Sequence, residues 1–249
     1  FAAWRSFVKG KRGRADVLTF ERHLEDRLFY LHDQLASGIW EHGSYETFIV
    51  CDPKSRLIHK ASVADRVVHH AVVRVIESVF ERSFLFDSWS CRVGKGTHSA
   101  IRRLASQLRR LTQQAHDPVW ILKADIRKYF ASVDQSVLLA LICRKIHDPM
   151  LMRLIERIVW SYPSGLPLGN LTSQLFANVY LNPFDHFVQE RLRAPMYLRY
   201  CDDFILASSK RDDLVGWLSA MSKYLKDFLH LDIHPNKTEI RPWHYGIDW

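Results

Sequence analysis

Residues 197–208 read YLRYCDDFILAS, and the surroundings that can tolerate the pair Asp202-Asp203 decide the fold. Tyr197, Leu198 and Arg199 lead into the pair and Phe204, Ile205 and Leu206 lead out of it. That pattern predicts a β-hairpin with the two aspartates at its tip. Adjacent carboxylates at the tip of an apolar hairpin each raise the cost of ionising the other. One answer is a plain turn, because Asp tolerates turn geometry and its side chain can bond its own backbone. The other is a divalent cation, which needs a third carboxylate from elsewhere in the chain.

A candidate for that third carboxylate lies upstream, in VWILKADIRKYFASVD (119–134). The run VWIL predicts a buried strand ending at Asp125, where a charge is costly unless it is paired or bound. Lys123 is a rival partner for it. If the strand and the hairpin are neighbours in one sheet, Asp125, Asp202 and Asp203 converge. Two divalent ions there would offset their repulsion and suit in-line displacement at phosphorus.

The bulk composition sets limits on this picture. At 249 residues and 47% apolar, the chain can bury the core of one large domain or of two lobes. No apolar run reaches the length of a membrane span and no signal-peptide pattern opens the chain, so a soluble, intracellular protein is expected. Phe1 and Trp249 at the ends suggest part of a longer protein. Cys51, Cys91, Cys143 and Cys201 are dispersed, which argues against a disulfide framework and against a thiolate zinc site. The 35 Lys and Arg against 27 Asp and Glu leave a net charge of +8, which suits a polyanionic partner. The densest basic stretch, RSFVKGKRGR (5–14), carries Lys9, Lys11 and Arg12 with no acid among them. It reads either as a phosphate contact or as a solvated arm.

Local patterns fill in the rest. Residues 15–36 have helical spacing, with Leu18, Leu24, Leu28, Leu31 and Leu35 on one face. YETFIVCDPKSRLIHK (45–60) predicts two short strands around Asp52-Pro53. Ser62 and Asp65 resemble a capping box, ahead of a helix whose wide apolar face includes Val75 and Val79. After a basic glycine-containing loop, a helix follows with Ile101, Leu104, Leu108 and Leu111 inward and Arg102, Arg103, Arg109 and Arg110 outward. Its GKGT lacks the spacing of a nucleotide-hydrolase phosphate loop. Ser132 and Gln135 predict another capped helix. Thr172 or Ser173 caps a longer one that Pro183 should kink or break, and residues 213–229 form one more. Strands and helices do not alternate regularly, so the class is α+β.

In order along the chain, these stretches resemble the motifs of reverse transcriptases. PKSRLI (53–58) resembles the fingers strands that meet the incoming triphosphate, and CRVGKGTHSAI (91–101) the segment after the fingers helix. ADIRKYFASVD (124–134) matches the first carboxylate motif, GLPLGNLTSQLFANVYL (165–181) the second motif and YCDD (200–203) the catalytic hairpin. LDIHPNKTEI (231–240) matches the lysine-bearing motif, and YGIDW (245–249) the start of the primer-gripping element. The resemblance implies a right-hand polymerase of fingers and palm whose thumb lies outside this chain. Residues 1–100 would be N-terminal helix and fingers, 101–132 the first part of the palm, 133–165 fingers helices, and 166–249 the second part of the palm.

It also implies roles. Asp125 and Asp202 would bridge two Mg²⁺ ions, or Mn²⁺ in their place, with Asp203 and the Ile126 carbonyl completing the ligand set. One ion would activate a primer 3′-hydroxyl and the other neutralise the leaving pyrophosphate. Lys54 and Arg56 would clamp the triphosphate, and Lys237 would protonate the leaving group. Phe130 matches the steric gate against a 2′-hydroxyl, so the product would be DNA. Leu168 and Gly169 would line the nascent base pair. Arg92, Lys95 and Tyr200, with Lys9, Lys11 and Arg12, would contact nucleic acid. The implied partners are an RNA template, a DNA or RNA primer and deoxynucleoside triphosphates, in a cytoplasmic protein encoded by a bacterium or phage.

Where intron-encoded and retroviral relatives usually carry Gln before the glycine, this chain has Leu168. LGNLTSQ resembles the reverse transcriptases of diversity-generating retroelements, which copy RNA with frequent errors at adenines and work with a small basic helical accessory protein. Bacterial defence-type enzymes, intron-like enzymes and a non-catalytic RNA-binding palm protein stand as alternatives. A binding protein has no need of three costly acids side by side.

Overall fold

The computed structural model of the chain describes residues 1–51, 55–115 and 118–246. In chain order the elements are α1 (Ala2–Phe7), α2 (Ala15–Glu21), α3 (Leu24–Ala36), β1 (Glu46–Cys51), β2 (Ser55–Lys60), α4 (Val63–Glu81), β3 (Ser88–Trp89) and α5 (Thr97–Gln114). There follow β4 (Trp120–Asp125), α6 (Tyr129–Ser132), α7 (Gln135–Cys143), α8 (Pro149–Trp160) and α9 (Leu171–His186), then a π-helical turn (Phe187–Leu192). The last are β5 (Met196–Tyr200), β6 (Asp203–Ser208), α10 (Arg211–Leu229), a 3₁₀ turn (Pro235–Lys237), β7 (Glu239–Pro242) and a second 3₁₀ turn (Trp243–Tyr245).

The chain divides into two units. A helical unit holds Phe1–Arg82 and Gln135–Phe176, and a sheet unit holds Ser83–Asp134 and Ala177–Trp249. Residues 83–100, expected with the fingers, belong to the sheet unit because β3 pairs with β5 and the α5 side chains enter the sheet's core. Residues 166–176 belong to the helical unit, where the Leu168 carbonyl accepts the His59 N–H of β2 at 3.0 Å.

In the sheet unit the strand order is β3-β5-β6-β4-β7, with β3 parallel to β5 and the other pairs antiparallel. Side chains alternate across a strand, so one sheet face carries Ile121, Leu198, Ile205 and Ala207. These pack with Ala100, Leu104 and Leu108 of α5. On the opposite face Phe204 meets Phe184 of α9, with ring centroids 5.3 Å apart. Burial on both sides explains why β6 reads as a nearly continuous apolar run.

In the helical unit α4 packs against α1, α2 and α8. Its first turn is capped by Ser62, whose Oγ accepts the Asp65 N–H at 3.1 Å and donates to the Asp65 carboxylate at 2.7 Å. The β1–β2 hairpin is a separate two-stranded ribbon with Phe48, Ile49, Val50 and Leu57 exposed.

Several local expectations give way to tertiary packing. The helix expected over 15–36 breaks at Arg22-His23 into α2 and α3, and Leu18 is exposed. Val75, Val79 and Ile101 also lie outside the core. Arg103 does not face solvent freely: it forms a bidentate pair with Asp87, both bonds 2.8 Å. The Gln135 side chain does not cap its helix but donates to the carbonyls of Val159, Tyr162 and Gly165. Pro183 sits inside α9 without ending it. The irregularity comes after it, in the π-helical turn that closes at Arg193 with φ +52°.

Candidate active site

Asp125 is the last residue of β4 and stands directly across from Asp203, the first residue of β6. Tyr200, the last residue of β5, is in turn the cross-strand partner of Asp203. Directly opposed residues project to the same face, so Tyr200, Asp203 and Asp125 form a row across three strands. Asp202 completes the tip, in a two-residue turn whose first member, Cys201, has a left-handed φ of +56°.

The main chain fixes these positions from both sides. The Ile126 N–H donates to the Asp202 carbonyl at 3.2 Å, and the His234 N–H to the Asp125 carbonyl at 2.7 Å. Asp125 is buried and both hairpin aspartates are partly buried. Burial, followed by the charge of Asp125, raises the Asp202 pKa. Burial, followed by the charges of Asp202 and Asp125, pushes Asp203 up to about 6. Lys237 places its Nζ 2.6 Å from Asp125 Oδ2. That hydrogen bond raises the Lys237 pKa and holds the ammonium in its charged form.

Such a donor set suits a hard divalent cation: oxygen ligands only, in an environment where a positive charge relieves carboxylates that burial and mutual repulsion disfavour. Among the described residues no group of three or more His, Cys, Asp or Glu side chains already stands in metal-binding geometry. The fit therefore rests on the chemistry of the row and not on a finished cage.

Around the row, Lys128 takes a left-handed φ of +47° and starts α6. The buried Tyr129 hydroxyl donates to the Ala177 carbonyl at 2.6 Å. Phe130 is half-buried with its ring 5.4 Å from that of Tyr129. The Tyr200 hydroxyl lies 2.7 Å from that of Thr97, the first residue of α5.

Other expected contacts sit differently. Arg92 donates to the carbonyls of Leu85 and Ser88, and Lys95 donates to the Phe86 carbonyl at 2.6 Å while lying over the Phe86 and Trp89 rings. Both cations thus brace their own loop. Lys11 donates to the Phe7 carbonyl at 2.8 Å, whereas Lys9 and Arg12 are exposed. Arg56 is exposed on β2, and Lys54 lies outside the described residues. Gly169 has a φ of +116°, and a Cβ there would come within 3.0 Å of the Ile58 side chain, so only glycine lets this loop lie on β2.

Sequence reasoning missed Arg199, which is fully buried behind the Cys201-Asp202 turn and paired with Asp185. The available signal was an arginine within an otherwise apolar strand, a position that demands a buried partner.

Residues 51–249 match the family model described as Reverse transcriptase (RNA-dependent DNA polymerase). The chain belongs to the reverse transcriptase family. It is 26% identical over 185 residues to the protein YkfC of Escherichia coli (strain K12), covering 69% of this chain and 48% of that relative. It is 29% identical over 145 residues to the group II intron-encoded protein LtrA of Lactococcus lactis subsp. cremoris, covering 54% of this chain and 23% of LtrA. The chain thus spans half or less of the length of these relatives. Among solved structures, apo telomerase from Candida Tropicalis shares the fold, with a TM-score of 0.63 at 12% identity over 83% of this chain and 45% of that one. No helix among the described residues is long and apolar enough to cross a membrane.

Proposed function

We propose that this chain is the fingers and palm of an RNA-directed DNA polymerase. The observation that carries the reading is the cross-strand row of Asp203 and Asp125, with Asp202 beside it, in a chain of this family. Asp125, Asp202 and Asp203, with the Ile126 carbonyl, would hold Mg²⁺, which supplies activation of a hydroxyl nucleophile and charge neutralisation at phosphorus.

The protein's own groups do the rest. Lys237 keeps a proton at Nζ beside the carboxylates, in place to pass it to a leaving pyrophosphate. The Phe130 ring, backed by Tyr129, closes the space a 2′-hydroxyl would need and so selects deoxynucleotides. Arg56 and Lys54 grip the triphosphate, and Tyr200, Arg92, Lys95, Lys9, Lys11 and Arg12 meet template and primer. Of the basic residues in that set, Lys9 and Arg12 are the exposed ones.

The finer reading is a diversity-generating enzyme, error-prone at template adenines and assisted by a small basic helical protein. It rests on Leu168. Gln there could offer amide hydrogen bonds near the nascent pair, whereas Leu offers only apolar contact, and a mispair then loses less relative to a correct pair. A second reading, an intron-type enzyme, is favoured by the intron-encoded relative LtrA.

The test is to sequence cDNA made on a defined RNA by the protein that contains this chain, and by its Leu168→Gln variant. Errors concentrated at template adenines and reduced in the variant are expected. Equal accuracy at all four bases overturns the diversity-generating reading in favour of the intron type. Failure to make any cDNA with Mg²⁺ or Mn²⁺ overturns the polymerase reading itself.

A further inference from the structure

Arg199 is wholly buried, and every N–H of its guanidinium is used. Nε and one Nη2 hydrogen go to the two oxygens of Asp185, at 2.7 and 2.6 Å. The other Nη2 hydrogen goes to Ser88 Oγ at 2.7 Å, and the Nη1 hydrogens go to Asn178 Oδ1 at 3.2 Å and the Cys201 carbonyl at 2.8 Å. Asp185 accepts one further bond, from the buried Tyr197 hydroxyl, at 2.5 Å. A guanidinium has five N–H groups, so the hub has no donor to spare.

One of those five bonds leaves the core. The Cys201 carbonyl belongs to the catalytic turn, one residue before Asp202, and Cys201 holds a left-handed backbone conformation that a side-chain-bearing residue seldom adopts. Such a conformation persists only where its surroundings over-determine it. The surroundings here are the Cys201 N–H bonded to the Trp89 carbonyl at 3.2 Å on one side and Arg199 on the carbonyl on the other. Asn178, which accepts from Arg199, donates to the Ser90 carbonyl at 3.1 Å and so ties the same hub to the residue after Trp89.

A buried ion pair is a poor way to gain stability alone, since apolar residues of similar volume often do as well or better. Stability therefore does not explain why this charge sits behind this turn. We infer that Arg199 and Asp185 are positioning residues that hold the Cys201 carbonyl, and through it the backbone of Asp202 and Asp203, in the orientation the reaction needs. The inference rests on the polymerase reading for its activity readout.

The decisive variant is Tyr197→Phe/Asp185→Leu/Arg199→Met in the protein that contains this chain, which removes the hub without stranding a buried charge. It should keep the parent's melting temperature and RNA affinity, and lose about 10- to 100-fold in kcat for primer extension, the range typical when supporting partners of metal ligands are removed. KM for the nucleotide should stay near the parent's. Amide hydrogen exchange across 201–203 should quicken and Mn²⁺ binding should weaken, two readouts that need no turnover. A folded triple variant with the parent's kcat, exchange and Mn²⁺ affinity overturns the inference.

If the triple variant does not fold, Arg199→Lys decides. It keeps the charge opposite Asp185 but cannot supply all five bonds. Loss of kcat with faster exchange at the turn supports the positioning role, and parental values for both overturn it. A parent that extends no primer contradicts the polymerase reading, while the exchange and Mn²⁺ comparisons still judge the hub.

Discussion

In the sheet unit a permanent charge, Arg199, is buried with all of its N–H groups donated and its carboxylate partner beside it. In the helical unit His69 is equally buried, yet its Nε2 has no hydrogen-bond partner among the described residues and its Nδ1 lies 3.4 Å from the Thr172 hydroxyl. At these two positions polarity is hidden in different ways, Arg199 by pairing and His69 by staying neutral, although the helical unit also holds a paired cation, Arg66 with Asp16 at 2.6 Å. Burial, with the neighbouring His42 and His70 next, lowers the His69 pKa to about 3, and burial followed by Lys11 and Arg66 lowers His70 to about 4. The pairing at Arg199 ties the Cys201 carbonyl into a fully bonded hub. The neutral strategy leaves the helical unit dependent on pH.

The largest expected effect breaks the paired strategy on one side only. Arg199→Met leaves Asp185 buried without its cation and should cost about 3–5 kcal/mol of sheet-unit stability, in line with other broken buried pairs. Urea unfolding followed by exchange of the β5 and β6 amides measures it. A cost below about 1 kcal/mol would place Arg199 among exposed pairs and dissolve the contrast.

Acid should sharpen the contrast from the other side. The unfolded imidazoles titrate near 6.5, and the folded values lie below that, so the unfolded state takes up protons that the folded state refuses. Stability from neutral His69 and His70 is present above pH 6.5 and is lost as pH falls toward 4 and then 3. Each pH unit in that window removes about 1.4 kcal/mol per shifted group. The helical unit should therefore weaken between pH 7 and pH 5, and His69→Gln should flatten that slope. An unchanged slope in the variant would mean that His69 is not the group responsible.

The smallest effect is expected at the β1–β2 ribbon, where Leu57 is 52% exposed. Leu57→Thr should change stability by no more than about 0.5 kcal/mol, as for other surface sites. A larger loss in the protein that contains this chain would show that the apolar ribbon is covered by something beyond these residues.

Much of the sheet unit was legible in the sequence. The hairpin around Asp202-Asp203 and the strand ending at Asp125 followed from apolar runs that stop at charges, whereas their pairing was only a condition there and is seen in the β4–β6 register. The boundary between units was harder, because β3 has only two residues and is a strand solely by pairing with β5. Pro183 does not break α9, although a proline inside a helix removes one of its hydrogen bonds. No pattern rule reveals that Arg92 and Lys95 donate to carbonyls of their own loop. Arg199 within the apolar strand β5 signals a buried partner, but nothing in the sequence says that the partner is Asp185 of α9.

The central claim is that Asp125, Asp202 and Asp203 form a metal-dependent polymerase centre, and one comparison tests it most directly. Primer extension on an RNA template with Mg²⁺ is measured for the protein that contains this chain and for its Asp202→Asn variant, alongside RNA affinity for both. The account predicts that extension by the variant falls to background while RNA binding stays near the parent's, because a metal ligand is lost and no phosphate contact is. Extension retained by Asp202→Asn would contradict it.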